Sequence, residues 1–126
     1  MDICITAQGP DLMSRFEPHF ARAPYFVLYD SRTGSADAIR NGYIVNDSKI
    51  GQNVVKLLST HRIRAVITGN VGQNARNLLR STKISLHVWQ GEGTVREAIA
   101  AIMPDALKRE NPRAGAGKRT KTAKRG

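Results

Sequence analysis

Apolar residues open the chain in a short run at residues 2–6 (DICIT), which predicts a strand. Residues 7–24 then break the pattern with Gly9, Pro10, Pro18 and Pro24 and show no helical period. That predicts a long loop, and long loops in compact domains usually carry function. Residues 25–30 are rich in β-formers and predict a second strand, with a turn at 31–34. Residues 38–45 predict a weaker third strand, interrupted by Asn41 and Gly42. Ile50, Val54, Leu57 and Leu58 share one helical face. Residues 65–68 predict a buried strand closed by Gly69, and Ala75, Leu78 and Leu79 form the stripe of a second helix. Residues 84–89 alternate as a strand. Thr94 and Glu97 have the spacing of a capping box. It opens a third helix with Val95, Ala98, Ile99 and Ile102 inward, stopped near Pro104.

The predicted order is β-β-β-α-β-α-β-α, an α/β chain with a mixed sheet and helices packed on it. The short turn makes strands two and three antiparallel, and helical crossovers make strands three, four and five parallel. If strand one runs with them, the connections 7–24, 46–51, 69–74 and 90–94 meet at one edge. Ligands bind such sheets at the carboxyl ends of strands. The residues predicted around that mouth are Arg15, His19, Arg22, Asn46, Asn70, Asn74 and Arg96.

Charge changes this picture at the carboxyl end. Of 126 residues, 20 are Lys or Arg and 10 are Asp or Glu, giving +10. Residues 1–107 contribute +3 and residues 108–126 contribute +7. The tail has almost no large apolar side chain to offset the entropy of ordering it, so it is expected to be disordered beside an α/β domain at 1–107. Its GAGKRT stretch fails as a phosphate-binding loop, because Pro112 and Arg119 stand where that motif needs Gly and Ser/Thr. Cys4 is the only cysteine, which excludes an internal disulfide. There is no apolar stretch of membrane-spanning length and no secretory signal pattern, so a cytoplasmic setting without membrane contact is expected. Catalysis is not expected. Asp2, Asp30 and Asp47 lack the partners of a two-metal carboxylate site, and there is no nucleophile elbow and no dinucleotide fingerprint.

Three segments carry a family resemblance. EPHFARAPYF at 17–26 resembles the S/D-x-H-F-G-R-A-x-x-F pattern of the dinitrogenase iron–molybdenum cofactor biosynthesis family. GNVGQNARNLL at 69–79 is similar to its strand-then-G-x-(V/I)-G-x-N-A signature, and GTVREA at 93–98 to its G-T-V-x-E-A signature. The match spans roughly residues 2–103. The opening and the length look most like the small orange-protein branch. The resemblance implies a three-layer, ribonuclease-H-like fold with a five-stranded mixed sheet and helices on both faces. It also implies non-covalent binding, carriage or storage of a molybdenum-containing metal–sulfur cluster, either molybdenum–copper–sulfide or of the iron–molybdenum cofactor type. A cluster-donor or acceptor protein is the implied partner. Ala21 departs from the family's Gly; at positive φ an Ala there would cost about 1 kcal/mol.

On this reading His19 is the leading cluster-binding residue and candidate metal ligand, and Cys4 the lesser one, with a buried strand cysteine as its ordinary role. One cysteine cannot hold an ordinary iron–sulfur cluster, so the cluster must bring its own sulfide and is an anion. Arginine forks, backbone N–H groups and helix N-termini suit such an anion. That adds Arg15, Arg22, Phe20, Gly69, Asn70, Gly72 and Asn74 to the candidate site, with Phe20 and Phe26 also expected as core anchors. His61 and His87 lack partners at ligand spacing and are expected to be structural. The alternative function is a nucleic-acid-binding or protein-docking module acting through the basic tail.

Overall fold

The computed structural model describes residues 1–42 and 50–110, apart from the side chain of Ile50. Residues 43–45 of the predicted third strand, Asn46, Asp47 and tail residues 111–126 lie outside the described residues. The elements are β1 (Ile3–Ala7), β2 (Tyr25–Tyr29), β3 (Ala36–Arg40), α1 (Ile50–Thr60), β4 (Ala65–Thr68), α2 (Gln73–Ser81), β5 (Ser85–Val88) and α3 (Val95–Ile102). A 3-10 helix at Pro104–Leu107, which the apolar pattern does not predict, follows α3.

The sheet order is β3-β2-β1-β4-β5. β1 pairs antiparallel with β2 and parallel with β4, β2 pairs antiparallel with β3, and β4 pairs parallel with β5. So β1, β3, β4 and β5 run one way and β2 opposes them. Their carboxyl ends share one edge, as the predicted topology required.

Side-chain alternation along β1 divides the core. Cys4, Phe26, Leu28 and Val66 pack with Val54, Val55 and Leu58 of α1 and Ala75 and Leu79 of α2. Ile3, Ile5, Ala7, Val27, Tyr29 and Ile67 pack on the other face with Val95, Ala98 and Ile99 of α3. Period-2 alternation in the strands and period-3.6 stripes in the helices meet face to face. The result is the three-layer mixed-sheet fold that the resemblance implies. No helix among the described residues is long and apolar enough to cross a membrane.

β3 begins two residues before the predicted strand and stops at Arg40, because pairing with β2, not composition, sets its ends (Tyr29 opposite Ala36, Tyr25 opposite Arg40). Asn41 leaves the strand for another task. Its backbone N–H donates to the Pro24 carbonyl (2.8 Å), and its side-chain amide donates to the carbonyls of Ala21 (2.8 Å) and Ala23 (2.9 Å). The capping box of α3 forms as expected: the Thr94 hydroxyl accepts from Glu97 N–H (3.1 Å), and Glu97 Oε1 accepts from Thr94 N–H (2.8 Å).

Gly69, at the end of β4, is where the loop after β1 touches the sheet edge. A Cβ there would fall 2.7 Å from Pro18 Cβ and 2.8 Å from the Pro18 carbonyl oxygen. Backbone cannot yield as a flexible side-chain tip can. Gly69→Ala should therefore destabilise the fold by about 1–3 kcal/mol, read as a lowered denaturant midpoint with unchanged slope. Wild-type stability in that variant would mean that the contact is not tight.

Candidate functional site

The long loop after β1 is ordered by backbone pairing and not by regular structure of its own. Phe16 bridges Ala7, Arg15 bridges Thr94, and His19 bridges Asn70. The Pro18 carbonyl accepts from Gly69 N–H (2.9 Å) and Asn70 N–H (2.6 Å), and Phe20 N–H returns a bond to the Asn70 carbonyl (3.0 Å). Beneath this zipper the Thr6 hydroxyl donates to the Glu17 carbonyl and lies 2.8 Å from the hydroxyl of Thr68. Both threonines are fully buried at the ends of adjacent parallel strands. The histidine loop and the β4–α2 loop therefore form one unit.

That unit walls a cleft of about 570 Å³ lined by His19, Phe20, Ala21, Arg22, Gly69, Asn70, Val71, Gly72, Arg76, Val88 and Gln90. Arg22, Arg76 and His19 bring basic groups to it, and among the described residues none that lines it is acidic. Phe20 is 1% exposed and packs on Phe26 with ring centroids 6.4 Å apart, so it is a core anchor that also floors the cleft.

His19 is oriented by Glu17. Glu17 Oε2 accepts from His19 N–H (3.0 Å) and lies 2.8 Å from Nδ1, while Gln8 Nε2 donates to Oε1 (3.1 Å). Burial pushes the Glu17 carboxyl up, but the backbone N–H of His19, its ring and the Gln8 amide outweigh burial and hold it below the usual carboxylate range. A carboxylate beside Nδ1 can only accept there, so this contact favours the tautomer with hydrogen on Nδ1 and turns Nε2 toward a ligand.

Two helices begin at this edge, and their N-termini differ. Val95 N–H donates to the Ser14 carbonyl (2.9 Å) and Arg96 N–H to the Leu12 carbonyl (2.8 Å), so the loop itself fills the start of α3. α2 starts at Gly72, which makes no side-chain cap, and has no acid in its first turn. Gly72 has φ −65°, and a Cβ there would meet nothing within 4 Å, so the fold does not require glycine. Arg76 sits in the first turn, where a cation opposes the helix dipole. An N-terminus without a side-chain cap, the positive dipole end and two arginines thus converge on a cleft that no acid among the described residues lines, an arrangement that suits an anion.

Of the expected site residues, His19, Phe20, Arg22, Gly69, Asn70 and Gly72 come together. Arg15 does not line the cleft: its backbone bridge to Thr94 carries it toward the β5–α3 loop, where NH2 lies 3.6 Å from Glu92 Oε1. Asn74 is exposed in the first turn of α2 and also does not line the cleft. Cys4 is buried against α1 and α2, and desolvation pushes its thiol far up, so it stays protonated and away from this edge. Arg96 is turned to Glu110, its Nε donating to Oε1 (3.0 Å) and Oε2 (2.9 Å). His61 is exposed just after α1, and His87 lies on β5 and lines a separate pocket with Asp2, Ile102 and Asp105, away from the cleft. Among the described residues no three His, Cys, Asp or Glu side chains gather as for a bare metal ion. Ala21 carries no strain, since Arg62 and Lys83 are the non-glycine residues with positive φ among those described. Arg76, Gln90 and the orienting role of Glu17 escape sequence reasoning. The first-turn position of Arg76 after an uncapped glycine is the signal that would have found it.

The dinitrogenase iron-molybdenum cofactor family matches residues 1–104 of the chain. The apo form of the orange protein from Desulfovibrio gigas is similar in structure, with a TM-score of 0.77 and 30% identity over 83% of this chain and 88% of that one. A putative NifB protein from Thermotoga is similar with a TM-score of 0.70 and 34% identity over 79% of this chain and 84% of that one. No curated protein matches the chain.

The depressed Glu17 carboxyl sets a sign. The ionised form stabilises the fold above the usual carboxylate range, and that contribution is lost as pH falls through the lower folded value. Thermal denaturation between about pH 6 and pH 3 should show wild type losing stability on the acid limb, and Glu17→Gln, which does not titrate, losing less. Parallel acid limbs would remove Glu17 from the loop's energetics.

Proposed function

Because the chain belongs to the dinitrogenase iron-molybdenum cofactor family, we propose that it binds and carries a molybdenum-containing metal–sulfur cluster by non-covalent capture. The cargo is of the molybdenum–copper–sulfide or iron–molybdenum cofactor type, held in the cleft between the histidine loop and the start of α2. The protein acts as a carrier or store, not a catalyst, in a reducing, cytoplasmic setting. The likeness to an orange protein solved in its apo form supports a cargo-binding role.

One observation carries this reading. The uncapped α2 N-terminus and Arg76 in its first turn face a cleft that also holds Arg22 and His19 and that no acid among the described residues lines. The donor set fits the cargo: it offers N–H groups, guanidinium forks and one imidazole, but no thiolate. Such a set suits a soft polyanion that carries its own sulfide. Arg22 and Arg76 neutralise charge, the Asn70–Gly72 backbone and helix end supply oriented dipoles, and His19 Nε2 reaches a metal or, protonated, donates to sulfide.

The test is anaerobic reconstitution of the full chain with tetrathiomolybdate and copper, followed by gel filtration, metal analysis and the visible spectrum. Colour should co-elute with protein. Arg22→Ala and Arg76→Ala should each weaken retention by about 1.5–3 kcal/mol, the worth of a charge-assisted hydrogen bond, with Arg22→Lys intermediate. His19→Ala should leave the fold intact and reduce loading or shift the bands. Acidification that protonates the ring weakens direct ligation and strengthens a counter-charge contact, which separates the two roles. Equal loading in all variants would contradict the site.

Gly72→Asp gives an opposed pair of readouts. The carboxylate would cap α2 and raise stability by a few tenths of a kcal/mol, while occupying the free donors and repelling an anion. Higher stability with lower loading is expected. Higher stability with full loading would exclude the helix end from the site.

A further inference from the structure

Among the described residues β5 is the outermost strand on its side of the sheet, and a second groove runs between it and α2. Ser85 N–H and Trp89 N–H donate inward to the carbonyls of Arg64 (2.8 Å) and Thr68 (2.9 Å). By strand alternation the N–H and C=O groups of Leu86 and Val88 point outward. Val88 is 39% exposed. The groove, about 530 Å³, is lined by apolar side chains of α2 and β5 and by Arg76, Arg80 and Lys83.

Two local features at these cations run against preference, although Arg80 in the last turn is favoured by the helix dipole. Arg76 and Arg80 stand i,i+4 on one helix, a like-charged spacing that disfavours it. Lys83 adopts φ +63° just past the end of α2, where glycine is the unstrained residue. None of the three has a carboxylate within ion-pair distance among the described residues. An open strand edge beside unpaired cations is complementary to an extended backbone bearing acidic side chains.

We propose that the β5 edge is a docking site for an acidic, extended segment of a partner protein, which adds a sixth strand beside β5 with its carboxylates on Arg76, Arg80 and Lys83. Strand addition draws affinity from main-chain hydrogen bonds and specificity from flanking side chains. A second copy of this chain is disfavoured, because pairing two β5 edges would bring like charges together. Single-stranded nucleic acid is disfavoured because no aromatic side chain lines the groove for base stacking. The groove shares Arg76 and Val88 with the cargo cleft, so the docked segment lies beside it. The inference does not depend on the identity of the cargo.

The experiment titrates the full chain, labelled with 15N, with an acetylated octapeptide of alternating glutamate and valine. The amide signals of Leu86 and Val88 should shift and their hydrogen exchange should slow. Arg80→Glu combined with Lys83→Glu should weaken binding about tenfold or more, and added salt should weaken it too. The same peptide with every backbone nitrogen methylated, which leaves neither edge able to pair, should not bind. Thiomolybdate loading of the double variant is read separately, so failure of docking and failure of cargo capture are distinguishable. The proposal is overturned by binding of the methylated peptide, by equal binding of an eight-residue oligothymidylate, by dimerisation through β5, or by no binding below about 1 mM.

Discussion

The Pro18 carbonyl sits against the end of β4, accepting from Gly69 and Asn70 N–H, and the geometry of the cleft depends on that contact. It exists because Gly69 has no Cβ to collide with Pro18. With those two bonds made, Phe20 drops into the core and Glu17 comes within reach of the His19 ring. His19 and Arg22 then lie across from the first turn of α2 on a shared wall. An exposed histidine on the 17-residue connection between β1 and β2 is thereby held by backbone bonds to β1 and to the end of β4, with little loop entropy left to lose on binding a ligand.

The site is built at the expense of local stability. A capped α2 with an acid in its first turn would be a better helix. This one starts at a bare glycine and places Arg76 where the dipole opposes it. α3, beginning at the same edge, shows what the chain does when stability alone governs: a full capping box and two loop carbonyls on its first amides. The contrast between neighbouring helix ends is the reason the proposed anion site is placed at α2 and not at Arg96, which is committed to Glu110.

Much of this was legible in the sequence, and the failures share a cause. The capping box, the strand at 65–68 and the common edge of the parallel strands follow from local pattern and crossover rules. Even His19, Arg22 and Gly69–Gly72 could be placed on that edge. Arg15 does not reach the cleft because its backbone bridge to Thr94 turns it toward the β5–α3 loop, and bridge pairing is not a local property. Arg76 was overlooked because it reads as an ordinary surface charge on a helix until the helix start faces a cleft. Cys4 could be called soft-metal ligand or core filler from composition alone; burial against α1 and α2 decides it. Strand order across the sheet, which makes β5 an edge, is likewise a property of the assembled fold.

The central claim is that cargo sits at the start of α2 opposite His19. The most direct measurement is anomalous diffraction at the molybdenum edge from crystals of the chain loaded anaerobically with thiomolybdate and copper. The account predicts a molybdenum peak in the cleft, in contact with Arg22, Arg76 or the Gly72 end of α2. A peak anywhere else on the molecule, with that cleft empty, would contradict it.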